Sequence, residues 1–292
     1  MLKQLKSVLF YIIQPILVIY YRFKVKEFPF VEDSITTLDK LKKGNLSFAR
    51  FGDGEFNIIM GYEIGFQNAN QRLRRELVRV ITTQNNKCAI GIPNIFNGLN
   101  NFENSAKRFW LYKICINWRK WKKFLILPQY LDSLSSRFYM DLENKEDSDR
   151  IINRWKELWN ERHLVIVEGD KTLMGIGNDL FSNAKSIKRI ICPSKNAFDK
   201  YQKILIASSN VDKDSLILIA LGPTASILAY DLSLLGFQAI DTGHLDLEYN
   251  WKILNASKKI MVKGRAVNEI INDQYEEIFD LTYRDQIIKK ID

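Results

Sequence analysis

The stretch LILIALGPTASILAYDLSLLGFQAID, residues 216–241, decides how the chain is read. It opens on a continuous apolar run, the pattern of a strand covered on both faces. Gly222 and Pro223 interrupt the run. Ile227, Leu228, Leu232 and Leu235 then recur at helical spacing as far as Gly236, a residue suited to the left-handed cap that ends a helix. A second short apolar run, 238–240, follows. Strand, helix and strand at this spacing make a βαβ unit with parallel strands.

Outward from this unit the same alternation continues. Further strands are expected at residues 46–51, 88–92, 124–127, 164–167 and 189–192. Between them Leu73, Leu77, Val80 and Ile81 share one helical face, as do Ile151, Trp155, Leu158 and Trp159. The aromatic, basic stretch 108–123 (RFWLYKICINWRKWKK) is expected to be a helix covering the sheet, or to line an acceptor groove with its Trp and Lys side chains. The fold expected is α/β, a mainly parallel, doubly wound sheet with helices on both faces, preceded by an apolar N-terminal helix. Residues 1–28 read as an arm and 29–292 as one domain.

The arm contains VLFYIIQPILVIYY at 8–21, flanked by Lys3, Lys6, Arg22, Lys24 and Lys26. A bilayer span needs about 20 apolar residues, and Tyr and Arg stand where a signal peptide would have small residues. Neither a span nor a signal peptide is expected. Lysines beside aromatics suit a helix lying in the headgroup region of an anionic leaflet, giving peripheral membrane contact through residues 1–26; the alternative is a helix packed on the domain.

A net charge of +9 favours anionic partners such as nucleotide diphosphates, acidic glycans or a membrane surface. Nucleic acid would rest on that charge alone and is not expected. Cys88, Cys115 and Cys192 are too far apart for a CxxC pair and read as reduced thiols of a cytoplasmic protein. With only His163 and His244, histidine-rich metal sites have few homes. Neither GxxxxGK[ST] nor GxSxG occurs.

In doubly wound sheets ligands sit beyond the carboxyl ends of the strands, so the loops there hold the candidates. Arg50-Phe51-Gly52-Asp53-Gly54-Glu55 offers two carboxylates that can face one hard cation, with Gly52 and Gly54 letting the backbone turn tightly and Arg50 as a forked phosphate contact; the alternative is a polar turn with a capping Asp. Gly222, Pro223, Thr224 and Ser226 open a helix and form either an anion site for a diphosphate or an ordinary helix cap. If residues 241–251 are extended, His244, Asp246 and Glu248 line one side and one of them can serve as general base. Glu168, Lys171 and Asn178 could touch a nucleotide, and Ser194 and Asn196 could hold its uracil or ribose.

Four ordered motifs, RFGDGE, EGDKTLMGIGNDLF, ICPSKNAFDKY and LGPTASILAYDLSLLGFQAIDTGHLDLEYNW, resemble the GT-D-fold glycosyltransferases over about residues 38–260. That resemblance implies a Rossmann-like core, a UDP-sugar donor, glucose as a plausible sugar, a manganese or magnesium ion, and an Asp-x-Glu motif falling on Asp53 and Glu55. Where the family is expected to carry an arginine after the EG turn, this chain has Lys171-Thr172-Leu173. The function expected is transfer of a sugar to a glycan, glycoprotein or lipid-linked acceptor in bacterial surface polysaccharide or glycoprotein assembly, at the inner face of the plasma membrane. Alternatives are a metal-dependent phosphoester or nucleotide-sugar hydrolase, which would need no acceptor, and a non-catalytic nucleotide-sugar-binding assembly subunit.

Overall fold

The computed structural model describes residues 2–24, 27–265 and 280–292. In chain order the strands are β1 (Phe30–Val31), β2 (Ser47–Arg50), β3 (Cys88–Ile92), β4 (Gln129–Asp132), β5 (His163–Gly169), β6 (Ser186–Cys192), β7 (Leu216–Ala220), β8 (Gln238–Asp241) and β9 (Ile287–Lys290). The helices are α1 (Leu2–Lys24), α2 (Ser34–Lys43), α3 (Asp53–Ile59), α4 (Gln71–Thr82), α5 (Asn104–Trp121), α6 (Asp147–Trp159), α7 (Tyr201–Ser209), α8 (Pro223–Leu234), α9 (Leu245–Ile253) and α10 (Leu281–Asp285). These strands make one sheet in the order β1-β4-β3-β2-β8-β7-β5-β6-β9, and every pairing is parallel.

Alternating side chains send each central strand into two cores. Leu216 and Leu218 of β7 and Leu164 and Ile166 of β5 belong to the core under α2, α6 and α9, with Leu38, Trp155 and Trp251. Ile217 and Ile219, with Val165 and Val167, belong to the opposite core, with Phe56, Leu77, Trp118, Ile204 and Ile227 from α3, α4, α5, α7 and α8. A parallel sheet covered on both faces needs strands apolar on both sides, and these continuous runs supply them. The helical face foreseen on α4 is buried as a unit. On α6 the same holds.

Helix α8 is the central cover. Ten of its twelve residues are buried, as expected of a helix apolar all round. Leu235 lies just past its end and is half exposed. Gly236 then takes φ 86°, the left-handed conformation that glycine adopts without steric cost.

Two expectations are corrected. Residues 124–127 are not a strand: Phe124 and Leu125 fold back by backbone bonds to Trp121 at 3.1 Å and pack below α5, with the Phe124 ring 5.8 Å from that of Phe56. Pro128 follows, and the strand, β4, begins only at Gln129. Its apolar run reads the same in a helix end as in a strand. Residues 244–248 are not extended either, because α9 starts at Leu245.

The second half of α1 packs on α5. Cys115 Sγ lies 3.3 Å from the Leu17 carbonyl, and Tyr21 Oη donates to the Ile95 carbonyl at 2.7 Å. Ile16, Ile19 and Phe23 face outward, Phe23 at 77% exposure.

The far edge of the sheet is fastened by a buried ion pair. Arg189 Nη1 lies 2.5 Å from Glu168 Oε1, with both side chains at 1% exposure or less. The same guanidinium donates to Gln286 Oε1 at 2.7 Å and to the Met174 carbonyl at 2.9 Å. Removing one partner strands the other charge in the core, which typically costs about 3–5 kcal/mol. Glu168→Ala should therefore lose stability on that scale in denaturant unfolding; a loss under about 1 kcal/mol would show the pair to be incidental.

Candidate active site at the junction of β2 and β8

From β2 the chain connects towards β3, while β8 lies on its other side, so the carboxyl ends of β2 and β8 form a crevice where ligands collect in such sheets. Arg50, the last residue of β2, sits in its floor at 8% exposure. Its Nε and Nη2 donate to the Ser133 carbonyl at 2.8 and 2.5 Å, and Nη1 lies 3.4 Å from Asp241 Oδ1 at the end of β8. Ser226 of α8 donates to the Arg50 carbonyl at 2.5 Å, and its hydroxyl oxygen also lies 3.2 Å from Asp241 Oδ2. Strand, strand and helix are thus joined by one charged knot. Gly243 closes over it with φ 51°, and a Cβ there would come within 1.9 Å of Arg50 Nη1. Only glycine fits.

After Arg50 the backbone turns at Gly52 into α3, whose first residues are Asp53 and Glu55. Glu55 reaches back so that its Oε2 accepts from the Gly52 amide at 2.7 Å. Burial, and then the neighbouring Asp241, push its carboxyl up to about 7. Asp241 is also raised by burial, against the pull of Arg50. Asp53 keeps a 40% exposed side chain and lies 3.8 Å from Lys113 Nζ of α5. Because both acids are helical, they sit about 200° apart around the axis rather than on one face of a turn. Among the described residues no three His, Cys, Asp or Glu side chains converge to hold a metal ion.

The other expected residues divide into those at the strand ends and those spent on structure. Gly222, at φ 52°, lets the chain pass under Phe66, whose ring a Cβ would meet at 2.4 Å. Pro223 is buried just inside α8. Thr224 is buried as well, and its hydroxyl has no hydrogen-bond partner among the described residues. Ser226, expected at a diphosphate, is committed to Arg50 and Asp241 instead. Arg50 likewise spends its forked edge on the Ser133 carbonyl, so the bidentate phosphate contact expected of it is not available in this arrangement.

Ser194 stays half exposed, and its amide donates to Asp170 Oδ1 at 3.2 Å. Asn196 adopts the left-handed conformation at φ 52° and turns its side-chain oxygen to the Asn68 amide at 2.8 Å. The loop carrying Phe66 and Asn68 thereby covers the ends of β6 and β7, a role that nothing in its composition announced.

Glu168 cannot reach a nucleotide. Besides Arg189 it accepts from the Met174 amide at 2.7 Å and is fully buried. Asp246 is equally committed, to the Gly175 amide and Asn178 Nδ2, both at 2.9 Å, and to the Arg265 guanidinium. Glu248 accepts from the amides of Tyr139 and Met140 at 3.0 and 2.8 Å and is also fully buried. The helical turn of α9 points the two acids of the expected row into the protein in different directions. His244 alone remains at the rim, where its Nδ1 lies 3.2 Å from Arg137 Nη2.

Sequence reading missed Asp132. It ends β4 and is 4% exposed, with Oδ2 accepting from Ser34 at 2.6 Å and Oδ1 from Leu134 at 2.8 Å. An acid closing a strand was the available signal, hidden because the strand was placed too early.

A doubly wound, all-parallel sheet with acids at the switch of strand order defines a Rossmann-like ligand-binding protein. The family model described as glycosyltransferase GT-D fold matches residues 48–270. This chain belongs to that family of GT-D-fold glycosyltransferases. It is similar to a probable glycosyl transferase Gly of Streptococcus gordonii, 38% identical over 85% of this chain and 36% of the relative. It is also similar to the glycosyltransferase GlyD of Streptococcus pneumoniae serotype 4, 35% identical over 87% of this chain and 32% of the relative. The chain thus spans about a third of the length of these relatives. A solved structure of domain of unknown function 1792, described as having a distinct glycosyltransferase fold, superposes with a TM-score of 0.88 at 34% identity, covering 94% of this chain and all of that one. Another, a glycosyltransferase from Streptococcus sanguinis, gives 0.87 at 35% identity, covering 91% of this chain and all of that one.

Burial raises Glu55 and Glu248 from 4.5 to about 7 and Asp132 from 3.8 to about 6. Between those limits the folded state holds protons that the unfolded state has released, so stability falls as pH rises. We expect the melting temperature to drop from pH 5 to pH 7.5, and Glu248→Gln to flatten that drop. A wild-type melting temperature that rises across this window would contradict the assignment.

Proposed function

We propose that this chain transfers a hexosyl group from a UDP-sugar to a glycan, glycoprotein or lipid-linked acceptor in bacterial surface polysaccharide or glycoprotein assembly. The observation that carries the reading is the meeting of Glu55 and Asp241 with Arg50 at the β2 and β8 ends, in a chain of this family. In the reaction the bond from the anomeric carbon to the diphosphate breaks and a bond to the acceptor oxygen forms, while the acceptor's proton leaves. His244, on the crevice rim beside Arg137, would take that proton. The half-exposed Gly222 turn and Ser194 lie at the strand ends where the nucleotide would be held.

A manganese or magnesium ion, when bound, would neutralise charge growing on the leaving diphosphate. The available donors are all carboxylate oxygens, which suit such hard ions. Asp53, half exposed, can turn from Lys113, and Glu55 faces the crevice. Two carboxylates plus donor phosphates and water make a usual coordination set for magnesium. The residues therefore fit the ion in kind.

We also propose peripheral contact with the cytoplasmic leaflet through residues 1–26. The support is the outward apolar row Ile16, Ile19 and Phe23 on a helix that has no Asp or Glu. No helix among the described residues is long and apolar enough to cross a membrane.

Incubating the chain with a panel of nucleotide sugars and manganese, with and without a glycan acceptor, should release UDP from one donor and lengthen the acceptor. Release that needs no acceptor would favour hydrolysis. Asp53→Ala and Glu55→Ala should each lower metal-dependent turnover at least about a hundredfold, the scale of losing charge stabilisation at a leaving group, with the circular dichroism spectrum kept. Full activity in either variant would retire the metal assignment. Sedimentation with phosphatidylglycerol vesicles should capture the chain, and Ile19→Glu/Phe23→Glu should leave it in the supernatant; equal capture of both would refute the membrane contact.

A further inference from the structure

A cavity of about 900 Å³ opens beside the crevice, at the carboxyl ends of β3 and β4. Asparagines set its lining apart from that at the β2 and β8 ends. Five asparagines border it: Asn94, Asn97, Asn100, Asn101 and Asn144. Of its four carboxylates, those of Asp33, Asp132, Glu143 and Asp147, two already have cations: Glu143 lies 2.6 Å from Lys107 Nζ, and Asp147 lies 3.7 Å from Arg150. Arg137 in turn lies 4.0 Å from Asp141. Charge is thus largely matched within the protein, and a neutral ligand rich in hydroxyls would find donors and acceptors in each amide.

Some of those groups await a partner. Asn94 Oδ1 is buried with no hydrogen bond among the described residues, its amide nitrogen being held by the Glu32 carbonyl at 3.1 Å. Asn100 and Asn101 are exposed at the mouth, and their side chains bond to no other described residue. Below them Phe102, Leu134 and Phe138 give an apolar floor.

The cavity also touches the crevice. Arg137 lines it and approaches His244, which follows β8 by three residues. Asp132 lines it too, and the next residue, Ser133, holds Arg50. Reacting groups placed in the two hollows would meet at the Arg137 and His244 wall.

We propose that this cavity binds the acceptor, a neutral saccharide of about two sugar units, with the amides of Asn94, Asn100 and Asn101 bonding its hydroxyls. The assignment rests on the glycosyltransferase reading and adds a second substrate site to it. The sheet then divides at the junction of β2 and β8. The nucleotide occupies the β8-β7-β5-β6 side, and the acceptor the β3-β4 side.

The test measures binding by saturation-transfer NMR, with cellobiose, lactose, maltose and diacetylchitobiose as probes and UDP as control. At least one disaccharide should bind the wild type. Asn100→Ala/Asn101→Ala should weaken it about tenfold, the scale of losing two hydrogen bonds, and Asn101→Trp should block it by filling the mouth. UDP affinity should stay within about twofold in both variants. Failure of all four sugars to bind, unchanged binding in both variants, or displacement of the sugar by UDP overturns the proposal. The two readings fail separately. Unchanged acceptor binding in a chain that consumes a nucleotide sugar removes only the cavity assignment, while variant-sensitive saccharide binding in a chain that consumes none removes only the transferase reading.

Discussion

The structure depends on one buried contact, Arg50 against Asp241, with Ser226 donating to the Arg50 carbonyl and lying against the Asp241 carboxylate. A guanidinium taken out of water must find an acceptor for nearly every donor or it costs several kcal/mol. Here the Ser133 carbonyl takes an N–H from each of two nitrogens and Asp241 takes one from the third, and in doing so they fix β4, β2 and β8 relative to one another. Close approach follows from small residues at the same points. Gly243 stands where any side chain would strike Arg50, and Ser226 where a bulkier residue would push α8 off the sheet. The positions of Gly52, Asp53 and Glu55 are consequences, since α3 begins three residues beyond the anchored arginine.

Charge spent on architecture explains why so many polar residues near the strand ends are unavailable to a ligand. Glu168 with Arg189 fastens β5 to β6, and Asp246 with Arg265 holds the turn at Gly175. Such pairs leave little free electrostatic capacity in the interior. Burial raises Glu55 and Glu248 to about 7, and it raises Glu168 and Asp241 too, against the pull of Arg189 and Arg50. The distinction has functional weight: Glu55 is half exposed beside the crevice, whereas Glu248 is sealed beneath two backbone amides. Two carboxyls with similar proton affinity thus have opposite access to a substrate.

The fold was largely legible because parallel strands covered on both faces must be apolar on both sides, and runs such as 164–167 and 216–221 have no other comfortable home. Residues 124–127 misled because a short apolar run has no period of its own, and packing of Phe124 against Phe56 decided the outcome. β1 has only two residues and β9 reads IIKK, too little pattern for either to be seen. At the site, RFGDGE marked the right place while its internal geometry stayed hidden. A glycine-flanked turn can show two acids to one cation, but the capping of α3 by Glu55 makes those residues helical. For His244, Asp246 and Glu248 it was the period of two that suggested a common side. Period alone does not say where a strand stops, and here β8 stops at Asp241.

The two hollows differ in the kind of polar group they offer more than in net charge. The crevice gathers the carboxylates of Asp53, Glu55 and Asp241 round the committed Arg50. The cavity at the ends of β3 and β4 is bordered by five asparagines, and its Glu143 and Asp147 already face Lys107 and Arg150. A carboxylate accepts only, whereas an amide both donates and accepts without carrying charge. The same end of one sheet therefore presents two chemically distinct surfaces, divided where Arg50 is tied to the Ser133 carbonyl on one side and to Asp241 on the other.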